Sequence, residues 1–393
     1  MTINLNSFHF VKYVVLLVCF LSFQLKAQTK ENVIITDAID ISALQEGYQK
    51  KQYTIEEITK AYLDRIESID KNGSQLNAVL TINPDAISIA KALDLELKQG
   101  KWRGPLHGVP VLLKDNINTN DKMPTTAGSR ALANSFPLED SFIVKKLRAA
   151  GAVIIGKTNL SEWANFRAYP SSSGWSGLGG QTKNAYDGER NPCGSSSGSA
   201  VAVAANLAVF AIGTETNGSI VCPSHANGIV GLKPTVGLIS RTGIIPISFT
   251  QDTAGPMARS VKDAAIILGW LTGVDPDDSK TAASVKYLQT DYAGSLDKES
   301  LKGKRIGVFT RVKGKSTSVD ALFQKAVSAI EAQGATIVEV SEISPEITNG
   351  QSFTVLLYEF KHGLNDYLKS LGPKAKNKTL EEINSFNKKR IAH

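Results

Sequence analysis

Apolar residues recur every three to four positions after Thr54. Ile55, Ile58, Tyr62, Ile66 and Ile69 mark one face of a helix. Thr54-Ile55-Glu56-Glu57 has the form of a capping box at its start, and Asn72-Gly73 stops it. Short β-branched runs alternate with such helices. Leu76 to Ile82 reads as a strand, Pro84 to Gln99 as a helix ended by Gly100, and Val109 to Leu113 as a buried strand. Ser141 to Ala150 reads as a helix, with Gly151 as its stop and Ala152 to Ile155 as the next strand. Beyond Pro256 the pattern predicts a helix from Ser260, strands Arg305 to Phe309 and Thr336 to Val340, and a helix Val319 to Gln333 between those strands. A capping box at Thr379 opens a last helix, still running at His393. With no internal repeat and no linker, this alternation predicts one α/β unit around a largely buried sheet.

The middle third has a different texture. Ser171 to Gly180 (SSSGWSGLGG) and Gly194 to Ser199 (GSSSGS) are too rich in Gly and Ser for regular structure. A helix over Ala200 to Asn206, a short strand over Phe210 to Gly213 and a loop over Thr214 to Pro223 (TETNGSIVCP) follow. Loops wedged between strongly apolar segments mark places where backbone approaches a ligand.

At 393 residues, with 42% hydrophobic and 21% charged residues, the chain suits a sizeable globular core. Its formal charge of +7 is spread along the sequence. Lys388-Lys389-Arg390 reads as a solvated helix face, and nothing supports nucleic-acid binding. Lys12, the apolar run Tyr13 to Leu25 and the Lys26-Ala27-Gln28 boundary have the three parts of a secretory signal over residues 1–27. The run is short for a membrane span, and no other segment is long and apolar enough. The expectation is therefore an exported protein, periplasmic or secreted, whose domain spans 28–393 and is free of the membrane after signal removal. Two cysteines remain, Cys193 and Cys222. Residue type favours two small buried thiols, with a disulfide as the alternative that export permits. Neither has a His or Asp at ligand spacing, so no metal site is expected.

Gly151 to Thr158 (GAVIIGKT) fits the P-loop letters, but its four variable positions are the strand itself, so nucleotide binding is set aside. His107, His225, His362 and His393 include no residue in a nucleophile-elbow arrangement, and His225 reads as a satisfied loop histidine. A base for a nucleophilic serine would then be lysine. Lysine can serve only when neutral, which requires a pKa lowered by roughly three units through burial. Lys114 ends the run Gly108-Val109-Pro110-Val111-Leu112-Leu113. Taken alone, that context favours a strand-end lysine reaching into water.

Its combination with Asn191 to Ser199 and Gly213 to Ile220 changes the balance. These segments, with Leu147 to Arg167, Asn227 to Ser240 and Gln251 to Arg259, resemble the amidase signature family from about residue 47 onward. The likeness is to its exported, peptide-amidase-like branch. It implies a single-domain α/β amidase-signature fold with a central mixed β-sheet covered on both faces by α-helices. It also implies a Ser-Ser-Lys triad: Ser219 as nucleophile, Ser195 as bridging serine and Lys114 as terminal base. The Gly194–Ser195 bond is expected to be cis, and backbone N–H groups of Thr216, Asn217 and Gly218 to form the oxyanion hole, Gly218 allowing close backbone approach. No metal or organic cofactor is implied. The expected partner is a small-molecule amide or peptide C-terminal amide, with oligomeric state undetermined.

Two departures qualify the likeness. Asn217 stands where this branch has Asp or Gly, and Val221 where many members have Arg. If position 217 contributes only backbone, little changes. Members of the family also continue beyond the point where this sequence stops, so a C-terminal part is expected to be missing. Besides an amide hydrolase, the sequence thus allows a catalytically inactive amide-binding protein, or an amidotransferase A-type subunit.

Overall fold

The computed structural model describes residues 38–296, 299–312, 314, 316–342, 349–373 and 375–391. The leader expected over residues 1–27 lies outside them, as does His393. Among the described residues, no helix is long and apolar enough to cross a membrane.

The described residues form ten strands: β1 (Val79–Ile82), β2 (Pro110–Lys114), β3 (Val153–Thr158), β4 (Trp175–Ser176), β5 (Gly180–Gln181), β6 (Phe210–Glu215), β7 (Val230–Gly231), β8 (Thr253–Ala258), β9 (Arg305–Phe309) and β10 (Thr336–Val340). Six form the central mixed sheet in the order β1-β3-β2-β6-β8-β7. β2 lies parallel to both β3 and β6, while β1, β7 and β8 run antiparallel to their neighbours. The helices are α1 (Ile41–Gln49), α2 (Ile55–Arg65), α3 (Ala86–Lys98), α4 (Phe142–Ala149), α5 (Ser197–Ala204), α6 (Val221–Ala226), α7 (Val261–Leu271), α8 (Thr317–Ala332), α9 (Asn349–Ser370) and α10 (Leu380–Ile391). They flank the sheet in the arrangement expected of an amidase-signature fold. β9 and β10 depart from that expectation, pairing only with each other as a separate two-stranded parallel sheet.

Local chemistry explains where elements differ from the sequence pattern. The Thr54 capping box forms reciprocally with Glu57, but the helix it opens ends as α at Arg65 and continues as a π-turn, Ile66–Lys71. That turn brings the buried Asp70 carboxylate onto the amides of Ala78 and Val79 at 2.7 and 3.2 Å. β1 begins only at Val79 because Gln75 and Asn77 adopt left-handed backbone conformations. α5 starts at Ser197, inside the segment read as irregular. Its serines turn inward: Ser196 Oγ donates to Thr214 O, Ser197 Oγ to Cys193 O, and Ser199 Oγ pairs with Thr158 Oγ1. Gly198 is needed for proximity, since a Cβ there would lie 2.2 Å from Ala78 O.

The P-loop letters are indeed a strand. Gly156, Lys157 and Thr158 belong to β3, and every residue of that strand is buried. The main core lies between the sheet and its helices, with Val111, Leu112, Leu113, Val153, Ile155, Phe210 and Ile212 fully buried or nearly so. α9 and α10 build a second cluster, in which Phe360, Leu364, Leu368 and Ile383 pack with Leu132, Trp163, Ile245 and Ile247.

Candidate active site

β2 and β6 run side by side in the same direction, with Val111, Leu112 and Leu113 opposite Phe210, Ala211 and Ile212. Their last residues, Lys114 and Glu215, therefore open at one end of the sheet, where ligands of α/β proteins commonly bind. The expected strand over 210–213 runs two residues further, so Thr214 and Glu215 are held in the sheet rather than in a loop.

Lys114 does not reach into water. It is fully buried, and its Nζ lies 2.7 Å from Ser195 Oγ, 2.8 Å from Thr214 Oγ1 and 3.1 Å from Thr214 O. Burial pushes its pKa down to about 7, against the opposing pull of the Asp252 and Glu215 carboxylates. A neutral lysine has two N–H bonds and one lone pair. Thr214 O can only accept, so the lone pair falls to one of the two hydroxyls, Ser195 or Thr214. Asn116 Nδ2 donates to Thr214 Oγ1 at 3.0 Å and occupies one of its acceptor positions.

Ser195 follows the Gly194 peptide, which is cis as expected. Ser196 N–H donates to Ser219 O at 3.1 Å, drawing the two serine turns together. Ser219 is 7% exposed, and its hydroxyl has no hydrogen-bond partner among the described residues. Lys114 and Ser195 are thus joined directly, whereas the Ser195–Ser219 hydroxyl contact is not closed in this structure. Catalytic hydrogen bonds often tighten only with substrate in place.

Of the three backbone amides expected to serve an oxyanion, those of Thr216, Asn217 and Gly218, one is already engaged. Gly218 N–H is already spent on Glu215 Oε1 at 2.9 Å, so Gly218 is removed from that set. The amides of Thr216, Asn217 and Ser219 have no hydrogen-bond partner among the described residues. Gly218 also serves another purpose than close approach. A Cβ there would meet nothing within 4 Å, but its φ of +83° is one that other residues resist.

Glu215 is the organiser that sequence reasoning missed. Its carboxylate collects the amides of Gly218, Ile220 and Val221 at 2.7 to 3.0 Å and wraps the backbone around Ser219. The available signal was an acid buried between an apolar strand and a Gly-Ser turn. Asn217 has an exposed side chain without a partner among the described residues. Val221, the other departure, is 44% exposed at the start of α6.

Cys193 and Cys222, read from residue type as free thiols, form a disulfide with Cα atoms 5.8 Å apart. Asn227 explains the approach: its Nδ2 donates to Pro192 O and Pro223 O, the residues flanking the two cysteines. Three histidines among the described residues stand apart from Lys114, of which His362 of α9 lines the cavity beside the site. His225 is exposed on α6, and His107 is buried elsewhere with Nε2 3.2 Å from Leu93 O. Among the described residues there is no cluster of His, Cys, Asp and Glu able to hold a metal ion. A cavity of about 540 Å³ meets the site through Thr214 and Thr216 and is bounded by Asn116, Ile245, Asp252 and Tyr367.

Comparisons with known proteins agree with this geometry. The family model described as Amidase matches residues 57–392. A putative amidase of Arthroderma benhamiae is 47% identical over 304 residues, covering 77% of this chain and 51% of the relative, so the chain spans about half the length of that curated relative. The native peptide amidase of Stenotrophomonas maltophilia superposes with a TM-score of 0.83 at 49% identity, over 90% of this chain and 72% of that one. An amidase family protein of Bacillus anthracis gives 0.86 at 40% identity, over 92% and 71%. With most of its length matched and a buried lysine bonded to a serine of its Gly/Ser loop, the chain belongs to the amidase signature family.

Proposed function

We propose that the protein hydrolyses carboxamides, either small amides or the C-terminal amides of peptides, to an acid and ammonia or an amine. One observation carries the reading: an amine sealed from solvent, with its pKa near 7, bonds a serine hydroxyl in the turn beside Ser219. Ser219 Oγ attacks the carbonyl carbon. Its proton moves to Ser195 Oγ while the Ser195 proton moves to neutral Lys114. Collapse of the tetrahedral intermediate breaks the C–N bond, and the relay returns the proton to the departing amine. Water then cleaves the Ser219 ester by the same route. The Thr216, Asn217 and Ser219 amides are the donors for the oxyanion, each worth roughly 3 kcal/mol in the transition state when aligned.

A peptide amide is the favoured substrate because a solved relative of similar fold bears the name peptide amidase. Export of the protein is supported by the apolar leader together with the Cys193–Cys222 disulfide, a bond suited to an oxidising compartment. A fluorophosphonate probe with a peptide-amide hydrolysis assay tests the activity. Labelling at Ser219 and loss of hydrolysis in Ser219→Ala are expected; a folded wild type that does neither would be an amide-binding protein instead.

A further inference from the structure

The proposed relay leaves unexplained why a half-buried carboxylate, Asp252, acts electrostatically on the Lys114 amine. Asp252 immediately precedes β8, whose Thr253 pairs with Glu215 across the ladder, so Asp252 lies opposite Thr216 where the strands end. Its Oδ1 accepts from Thr216 Oγ1 at 2.5 Å. Oδ2 accepts the amides of Ile247 and Ser248 at 2.8 and 2.9 Å. Glu359 of α9 braces the same turn, accepting from Ser248 Oγ and from Thr250 N and Oγ1. Thr216 is thereby tied through one carboxylate to a turn that is itself pinned to a long helix.

We propose that Asp252 is a positioning residue: through the Thr216 hydroxyl it fixes the Thr216-Asn217 backbone, whose free amides receive the oxyanion. The inference rests on the amide-hydrolase reading. Donors stabilise developing charge only if they are already aligned, so the effect belongs to the chemical step rather than to substrate binding. Asp252 has a second consequence. Two carboxylates favour the ammonium form of Lys114, Asp252 more strongly than Glu215, while the groups bonded to its Nζ, Ser195 and Thr214, are uncharged. Asp252 itself faces the Thr216 hydroxyl, the two amides and the Arg241 charge, and burial raises its own pKa. Removing its charge therefore makes Lys114 easier to deprotonate.

Two variants separate these effects. Thr216→Val keeps size, backbone and every charge; its kcat on a peptide amide is expected to fall about 10- to 100-fold with KM nearly unchanged, less than outright loss of one donor because the amides remain and only their alignment is loosened. Thr216→Ser restores the hydroxyl and most of the rate. Asp252→Asn is expected to lower kcat and also move the acid limb of kcat/KM down by about half a pH unit or more. A Thr216→Val enzyme within twofold of wild type, a loss that Ser does not rescue, or an unmoved acid limb in Asp252→Asn overturns the proposal. If wild type itself leaves the amide uncut, the hydrolase reading falls together with it; if wild type is active and Thr216→Val is unaffected, only this inference falls.

Discussion

Lys114 and Lys157 stand on neighbouring parallel strands, with Lys114 opposite Thr158 and Leu113 opposite Lys157, so their side chains leave opposite faces of the sheet. Both are fully buried, and burial lowers both pKa values, to about 7 and about 8. Their surroundings differ. Lys157 Nζ lies 2.6 Å from Ile117 O and 2.9 Å from Thr125 Oγ1, with the neighbouring Asp115 charge favouring its ammonium form. Burial in turn holds the Asp115 carboxyl up at about 6. Lys114 instead bonds a serine hydroxyl that leads toward a second serine turn. Desolvation makes a lysine able to lose its proton, but the neighbour decides where a proton comes from.

The same substitution at both positions tests the contrast. Lys114→Met is expected to reduce kcat/KM by about 10³-fold or more, since the proton has no other acceptor. Circular dichroism should show it folded. Lys157→Met leaves Thr125 Oγ1 without a donor, Ile117 O with only the long 3.4 Å bond from the Thr125 hydroxyl, and Asp115 without its nearby cation. A stability loss of about 3 kcal/mol is expected in urea denaturation, with near-normal kcat per folded molecule. An enzyme that loses kcat in Lys157→Met but keeps its stability would break the distinction.

The pH profile sharpens it. In the proposed relay the free amine of Lys114 is the working form, so kcat/KM is expected to fall as pH drops through about 7 and to be level above it. That limb should stay in place in Lys157→Met. The smallest effect is expected at position 217. Asn217→Asp places a charge on an exposed side chain outside the hydrogen-bond network, and screening should keep rates within about twofold. A tenfold change would show that this side chain orients the turn after all.

The alternating pattern made the helices and central strands legible, because burial of β2, β3 and β6 on both faces leaves an uninterrupted apolar signature. Lys114, Ser195 and Ser219 could be named from motif context, and the structure brings the first two into contact. What stayed hidden are long-range partners. Glu215 shapes the turn that carries Ser219 through backbone amides, and Asp252 reaches Thr216 across 36 positions of sequence, so neither has a local pattern. α9 is not marked by periodicity, because exposed apolar residues Phe353, Val355, Leu357 and Tyr358 blur the buried stripe of Leu356, Phe360, Leu364 and Leu368. The separate β9–β10 pair shows that strand periodicity does not identify which sheet a strand joins.

The covalent staple between residues 193 and 222 fastens one serine turn to the helix that follows the other. Preparation history consequently becomes part of the protein's chemistry: material produced in a thiol-rich cytosol and material matured with an oxidase should carry the same amino acids yet different fractions of stapled molecules. Specific activity compared between expression hosts is then a measure of oxidation as much as of sequence.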